Sequence, residues 1–96
     1  MKTRTRKPAH PGGILRRLYL EPMGLTITEL AKALRVSRKT VSKVVNENGS
    51  ITPDMALRLS AAFDTSPQLW LNLQQAYDLW HSSRSGIWKK IQKIAA

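Results

Sequence analysis

Helix-start signals recur at short intervals along the middle of this chain, and they constrain its fold more than any other feature. Thr26-x-x-Glu29 has the spacing of a capping box, in which a hydroxyl and a carboxylate satisfy two backbone amides at a helix start. Ser37 is a good N-cap, and Thr52-Pro53 and Ser66-Pro67 each place a proline at the first helical position. Signals so closely spaced predict several short helices joined by tight turns.

The apolar residues that follow these signals recur at three- and four-residue spacing, so each predicted helix has one buried face. The inward positions after the first three signals are Ile27, Leu30, Ala31 and Leu34, then Val41, Val44 and Val45, then Met55, Ala56, Leu59, Ala62 and Phe63. No segment shows the strict alternation of a strand. The pattern therefore predicts an all-α fold.

Two further segments with helical spacing flank this series. One opens at His10–Gly13 and is expected to end near Leu20, because Pro22 and Gly24 follow it. The other, Ile87–Ile94, is so short that a helix there would need something to pack on. The predicted architecture is five helices with a short C-terminal extension that has helical spacing.

Positive charge dominates the composition: sixteen Lys and Arg against six Asp and Glu give a formal net charge of +10. Such an excess favours a polyanion partner, most often nucleic acid, because neutralising phosphates releases counterions. The 96 residues suffice for one domain, and the lack of cysteine excludes disulfides and thiolate chemistry. With no apolar run that could span a bilayer and no secretory signal, we expect a cytoplasmic protein without membrane contact.

The segment Ile27–Asn46 has the spacing of two short helices joined by a tight turn, as in a helix-turn-helix DNA reader. Ala31 is placed where the helices cross and only a small side chain fits, and Val36 plugs the turn. Val41 and Val44 hold the second helix on the domain. This pattern resembles the helix-turn-helix of the phage repressor and Cro-like (XRE) family, which implies a five-helix, phage-repressor-like DNA-binding domain that usually works as a dimer.

One position departs from that family pattern. The family often has glycine at the turn, where φ is positive, and this chain has Arg35 there. A non-glycine residue in that conformation costs about 1 kcal/mol. We divide the chain into a flexible basic arm (1–9), a helix-turn-helix DNA-binding domain (10–82, with the motif at about 27–46) and the C-terminal extension (83–96).

If the second helix of the motif enters the major groove, the exposed face near its N-terminus reads the DNA. The family's base-contacting positions correspond to Arg38, Lys39 and Lys43, and the Arg38 fork suits the O6/N7 edge of guanine. The predicted DNA-binding set is completed by Ser37 and Thr40 (phosphate or a thymine methyl), Thr28, Asn46 and Asn48 (phosphate), and Ser42 on the same outward face.

The inventory of reactive side chains argues against an enzyme. His10 is expected in a loop and His81 at the end of the fifth helix, with no cysteine and no second histidine near either in sequence. A carboxylate pair such as Glu29 and Asp54 stays open, although Glu29 already has a capping role. We therefore expect no catalytic residue, no metal site and no cofactor.

The fifth helix holds two tryptophans and a tyrosine, which raises the question of base stacking. On a helical wheel its aromatic face comprises Leu69, Trp70, Leu73, Ala76, Tyr77 and Trp80. Stacking platforms need positive charge beside them, and none occurs between Pro67 and Trp80, so we interpret this face as core. Leu71 and Leu79 lie outside it and are predicted to form the edge of a homodimer. The alternative is packing against residues 87–94 of the same chain.

Motifs spread over most of the chain resemble the HigA (VapI-type) antitoxins. They are Pro11-Gly12-x-Ile14-Leu15, Leu20-Glu21-Pro22-Met23-Gly24-Leu25, the segment 51–59 and the segment 66–80. The resemblance implies a dimeric antitoxin that binds and neutralises a HigB toxin, an RelE-like, ribosome-dependent endoribonuclease that cuts mRNA. It also implies repression of the shared operon at palindromic, double-stranded operator DNA.

The toxin-binding surface is expected on the first helix and its flanks, at Ile14, Arg17 and Tyr19. Two other functions stay open at this point. One is a stand-alone XRE-type repressor without a toxin partner, and the other is a basic protein that binds RNA or the ribosome.

Overall fold

All of the predicted caps begin helices in the computed structural model, which describes residues 6–95. The helices are α1 (successive segments Pro11–Leu15, Arg16–Leu20 and Glu21–Met23), α2 (Ile27–Leu34), α3 (Arg38–Val45), α4 (Pro53–Phe63) and α5 (Pro67–Arg84), followed by a 3₁₀ turn (Ile87–Lys90). Residues 1–5, which hold most of the predicted basic arm, and residue 96 lie outside the described part. Within residues 6–95 there is no strand, and the all-α, five-helix prediction is confirmed.

The capping box is complete at the start of α2. The Glu29 amide donates to Thr26 Oγ1 over 3.1 Å, and the Thr26 amide donates to Glu29 Oε1 over 3.0 Å. Ser37 and Ser66 accept from the amides of Thr40 and Leu69 at the starts of α3 and α5, each over 3.1 Å. Side chains of the chain itself thus satisfy amides that a helix start would otherwise leave unpaired.

The carboxyl group of Glu29 makes the start of α2 sensitive to pH. The Thr26 amide, and then the Thr26 hydroxyl, hold the pKa of Glu29 below its ordinary value. A carboxylate with a lowered folded-state pKa stabilises the protein above its unfolded-state pKa, and this contribution is lost as the pH falls through the folded value.

We expect Glu29→Gln to flatten the decline of unfolding free energy between about pH 5 and pH 3. Urea unfolding at several pH values measures this slope. The double variant Thr26→Ala/Glu29→Gln serves as the control, because without the partner groups it should show the same slope as the single variant. A slope for Glu29→Gln equal to that of the parent would contradict the assignment.

The first helix is longer than the sequence predicted. It continues past Leu20 to Met23 because its middle segment, Arg16–Leu20, widens to π-helical spacing, in which the Glu21 amide donates to the Arg16 carbonyl. A proline cannot donate to the preceding turn, and this widened turn lets Pro22 stand inside the helix. Gly24, at φ 65°, then ends it.

The core forms where the inward faces of the five helices meet. Its most deeply buried large side chains include Leu15, Leu30, Val41, Leu59 and Trp70. The Trp70 side chain has no exposed surface, and its indole nitrogen donates to Thr65 Oγ1 over 2.8 Å. This hydrogen bond satisfies the only polar atom of an otherwise apolar ring.

The aromatic face of α5 is only partly core, which corrects the wheel-based interpretation. Leu69 is 39% exposed and Trp80 is half-buried, with the Arg84 guanidinium 4.6 Å from the Trp80 ring centre. Gln74, which is not part of the predicted aromatic face, is buried and accepts from the Ile51 amide over 2.8 Å. Which face of α5 meets the core therefore depends on the hydrogen bond between Gln74 and the Ile51 amide as well as on the apolar side chains.

Candidate nucleic-acid interface

The turn between α2 and α3 has the conformation that a helix-turn-helix requires. Arg35 adopts the left-handed conformation, at φ 58° and ψ 44°, and the Val36 amide donates to the Ala31 carbonyl over 3.1 Å. Ala31 is buried and Val36 half-buried, as the spacing predicted. Arg35, which stands where the family often has glycine, thus adopts the positive φ expected at this turn.

An arginine from α4 holds the end of α2. Arg58 Nη1 donates to the Leu34 carbonyl over 2.7 Å and approaches the Arg35 carbonyl at 3.4 Å, while Arg58 Nε contacts Asp54 Oδ2 at 2.8 Å. Cations stabilise helix C-termini because the last carbonyls are unpaired and partly negative. The sequence interpretation gave Arg58 no structural role, although its four-residue spacing from Asp54 could have indicated the ion pair.

The packing of α1 on α3 depends on a glycine. A Cβ at Gly12 would lie 1.6 Å from the Val44 carbonyl oxygen, so no side chain fits between the two backbones. His10 begins α1: it is buried, and its Nδ1 accepts from the Gly12 amide over 2.9 Å. His10 was expected in a loop, and its capping role went unpredicted because histidine is an uncommon N-cap.

The predicted base-reading residues lie on the exposed face of a single helix, α3. Arg38, Lys39 and Lys43 on α3 are all exposed, while Val41 and Val44 on its other face are buried. Between Ser37 and Asn46 the helix and its caps contain no acidic residue. The outward face of α3 therefore presents three cations over two helical turns, supported on a rigid core.

The polar members of the predicted set surround that face. Ser37 Oγ caps α3 and also lies 2.9 Å from Thr40 Oγ1, so both hydroxyls take part in the start of the helix. Asn46 Nδ2 donates to Ser42 Oγ over 3.1 Å at the other end of α3. Thr28, near the start of α2, and Asn48, in the loop after α3, are exposed at the flanks.

The residues predicted for toxin contact are divided between surface and core. Arg17 is exposed in the π-helical segment of α1, and Ile14 is half-buried. The Tyr19 ring lies 4.7 Å from Phe63 and 5.5 Å from Trp70, centre to centre, so much of its surface packs inside the domain. Of the three, Arg17 presents the most open side chain.

Within residues 6–95, no group of three or more His, Cys, Asp or Glu side chains is arranged to hold a metal ion. None of the helices in that range is long and apolar enough to cross a membrane. Two short helices, a turn with positive φ and a cationic outer face on the second helix define a helix-turn-helix DNA-binding domain.

Comparison with known proteins places the domain more narrowly. The helix-turn-helix family matches residues 16–70. The chain is 54% identical over 80 residues to the uncharacterized HTH-type transcriptional regulator YbaQ of Escherichia coli K12, covering 83% of this chain and 71% of that protein. It is 44% identical over 80 residues to antitoxin HigA-1 of Vibrio cholerae, covering 83% and 75%.

A solved structure of Pseudomonas aeruginosa antitoxin HigA with the higBA promoter is also similar. It matches with a TM-score of 0.85 and 41% identity, over 92% of this chain and 99% of that chain. The chain therefore belongs to the helix-turn-helix family and, within it, to the HigA antitoxins.

Proposed function

We propose that this protein is a cytoplasmic, non-catalytic antitoxin that, as a dimer, represses its own operon and that binds and neutralises a HigB-type mRNA-cleaving toxin. The observation that carries the DNA-binding half is the cationic face of α3 on a helix-turn-helix frame. The structure of a relative with its promoter supports operator DNA as the ligand. The toxin partnership is supported by the identity with antitoxin HigA-1.

In this proposal the residues around α3 divide into those that read bases and those that orient the protein on the DNA. Arg38 donates two hydrogen bonds to the O6/N7 edge of a guanine, and Lys39 and Lys43 contact base edges or phosphates with less directionality. The remaining side chains orient the protein on the backbone. They are Thr28, Ser37, Thr40, Ser42, Asn46 and Asn48. A two-fold dimer places two α3 helices one DNA turn apart, which matches a palindromic operator.

Arg38→Ala tests the base-reading role. We expect it to weaken operator binding by about 1–3 kcal/mol and to relax the preference at one base position in each half-site, because a bidentate contact is lost. Titration against operator duplexes and selection from a randomised half-site measure the two effects.

Arg84→Ala is the matched control for this experiment, because it removes the same charge from an exposed arginine at the end of α5. It should leave the base preference unchanged and cause at most a small, sequence-independent loss of affinity. A half-site preference that is the same for Arg38→Ala and the parent would exclude Arg38 from base reading.

The toxin partnership calls for a separate test. We expect the protein to rescue growth when it is co-expressed with a small toxin encoded beside its gene, and to co-purify with it. Arg38→Ala should rescue growth as well as the parent does, since the proposal assigns Arg38 to DNA only. If the protein neither rescues growth nor forms a complex with the neighbouring gene product, the toxin partnership fails and a stand-alone repressor remains as the function.

The remaining alternative is an RNA-binding or ribosome-associated role, which the net charge of +10 alone would also suit. Binding to a palindromic duplex and to a structured RNA of equal length should be compared at physiological salt. We expect the duplex to bind more tightly, because a helix-turn-helix reads the major groove of B-DNA, whereas that of an RNA duplex is too narrow and deep.

A further inference from the structure

The segment after α5 leaves four large apolar side chains more than half exposed, although Trp88 Nε1 donates to the Ser83 carbonyl at the end of α5 over 3.0 Å. Ile87 is 70% exposed, Trp88 55%, Ile91 75% and Ile94 103%. Gly86, at φ 73°, lies between this segment and α5. Single exposed apolar residues are ordinary on a protein surface, but a contiguous cluster marks a contact with another molecule. We call residues 87–95 the C-terminal tail.

A second uncovered apolar surface lies on α5 itself. A groove of about 360 Å³ runs between Ile51, Leu71 and Leu79, with Gln75, Asp78 and Ser82 among its polar lining. Leu71 packs partly on the core, whereas Leu79 is 62% exposed. We call this the α5 groove. The exposure of Ile91 and Ile94 shows that the tail does not pack on the α5 groove of its own chain.

We propose that the C-terminal tail of one copy occupies the α5 groove of a second copy, whose tail occupies the first groove in return. The proposal deepens the proposed dimer and rests on it. Each chain contains both a C-terminal tail and an α5 groove. A reciprocal exchange between two copies therefore buries both tails and both grooves. Such an interface is isologous, and it closes at two copies.

Charge also favours this occupant. The tail carries Lys89, Lys90 and Lys93, whereas the lining of the α5 groove includes Asp78 and neither Lys nor Arg. On a chain with a net charge of +10, much of the surface repels a basic segment. The α5 groove is a place where the apolar side chains of the tail can be buried without bringing its lysines against other cations.

The tail is long enough for this contact. The 3₁₀ turn Ile87–Lys90 advances the chain by about 8 Å, and the five residues after it span at most about 17 Å when extended. The groove from Leu71 to Ser82 follows roughly 17 Å of helix. The left-handed conformation of Gly86 lets the chain change direction directly after α5. A tail that leaves one α5 can therefore follow the full groove of a neighbouring α5.

Cysteine cross-linking tests the contact cleanly, because the chain has no native cysteine. Leu79→Cys and a size-tagged Ile91→Cys chain are mixed, equilibrated and oxidised. We expect the mixed pair, with one of each chain, to form faster than either symmetric pair. Predominant Leu79–Leu79 cross-links would instead indicate a dimer in which α5 meets α5, and would overturn the exchange.

The double variant Leu79→Cys/Ile91→Cys separates exchange from packing within one chain. Exchange predicts cross-linked dimers, with two disulfides joining the same two chains. A product with the mass of a single oxidised chain would show that the tail folds onto its own groove, and would overturn the proposal.

Matched glutamate substitutions give an equilibrium measure of the same contact. Ile91→Glu places a charge on an apolar position of the tail, and Gln92→Glu places the same charge on the adjacent exposed position. Sedimentation equilibrium should show the dimer Kd raised at least tenfold by Ile91→Glu and changed less than threefold by Gln92→Glu. Equal dimer Kd values for the two variants would contradict tail exchange.

Failure of the exchange and failure of the proposed function give different results. If the parent protein does not bind its operator, the proposed function fails whatever the cross-links show. If the parent binds the operator as a dimer while the mixed cross-link is absent, only the tail exchange fails.

Discussion

Replacing Gly12 by alanine should destabilise the domain by about 3 kcal/mol or more, because the added methyl group has no space. Its Cβ would lie 1.6 Å from the Val44 carbonyl oxygen. This neighbour is backbone and cannot rotate away, so α1 and α3 must separate. Since α3 carries the proposed base-reading face, we also expect weaker operator binding. Urea unfolding and an operator titration measure the two effects.

Gly13→Ala is the matched control, one residue further along the same helix. A Cβ there would lie 2.9 Å from Arg17 Nη1 and from Glu47 Oε2, which are the ends of flexible side chains. These groups can move aside, and alanine is favoured over glycine in a helix by about 0.5–1 kcal/mol. We expect Gly13→Ala to be neutral or slightly stabilising. If both variants lost the same stability, close packing of α1 on α3 would not explain Gly12.

The sequence predicted the features whose physics is local. A cap needs only a hydroxyl and amides within three residues, so Thr26, Ser37 and Ser66 could be assigned without the fold. The positive φ at Arg35 was expected from the resemblance to the phage-repressor family, which often has glycine at this turn. These signals fixed the number and order of the helices, and hence the motif.

Features that depend on distant segments could not be predicted in this way. Gly12 looks like part of a helix start, and the reason for it lies in the carbonyl of Val44 on another helix. The hydrogen bond from Arg58 to Leu34 joins residues 24 positions apart in sequence. Periodicity reports which face of a helix is apolar, but it does not report which backbone groups the neighbouring helix leaves unpaired.

The burial of the aromatic side chains on α5 also could not be predicted from the sequence alone. A helical wheel treats the whole length of α5 as equally covered by the rest of the domain. Trp70, near its start, lies against Tyr19, whereas Trp80, three turns later, contacts His81 and Arg84 of its own helix. Burial of an aromatic side chain here depends on which other helix reaches that turn.

Trp70→Ala tests this difference directly and should cost about 3–5 kcal/mol of unfolding free energy, the usual loss for a fully buried large aromatic. The Trp70 ring has no exposed surface, and its removal leaves a cavity beneath Tyr19 and an unpaired Thr65 hydroxyl. Small domains have only about 5–15 kcal/mol of stability in total. We therefore expect a substantial unfolded fraction at growth temperature, measured by circular dichroism during thermal and urea unfolding.

Trp80→Ala is the matched control, because it makes the same substitution on the same helix ten positions later. That ring is half-buried and contacts side chains of α5, so its removal opens no cavity in the core. We expect a loss of at most about 1 kcal/mol, as for a cation–π contact at an exposed site. Equal losses for the two variants would mean that the aromatic face of α5 is core along its whole length. A large loss for Trp70→Ala alone would show that only its first turns support the DNA-binding domain, leaving the later turns free for contacts with another molecule.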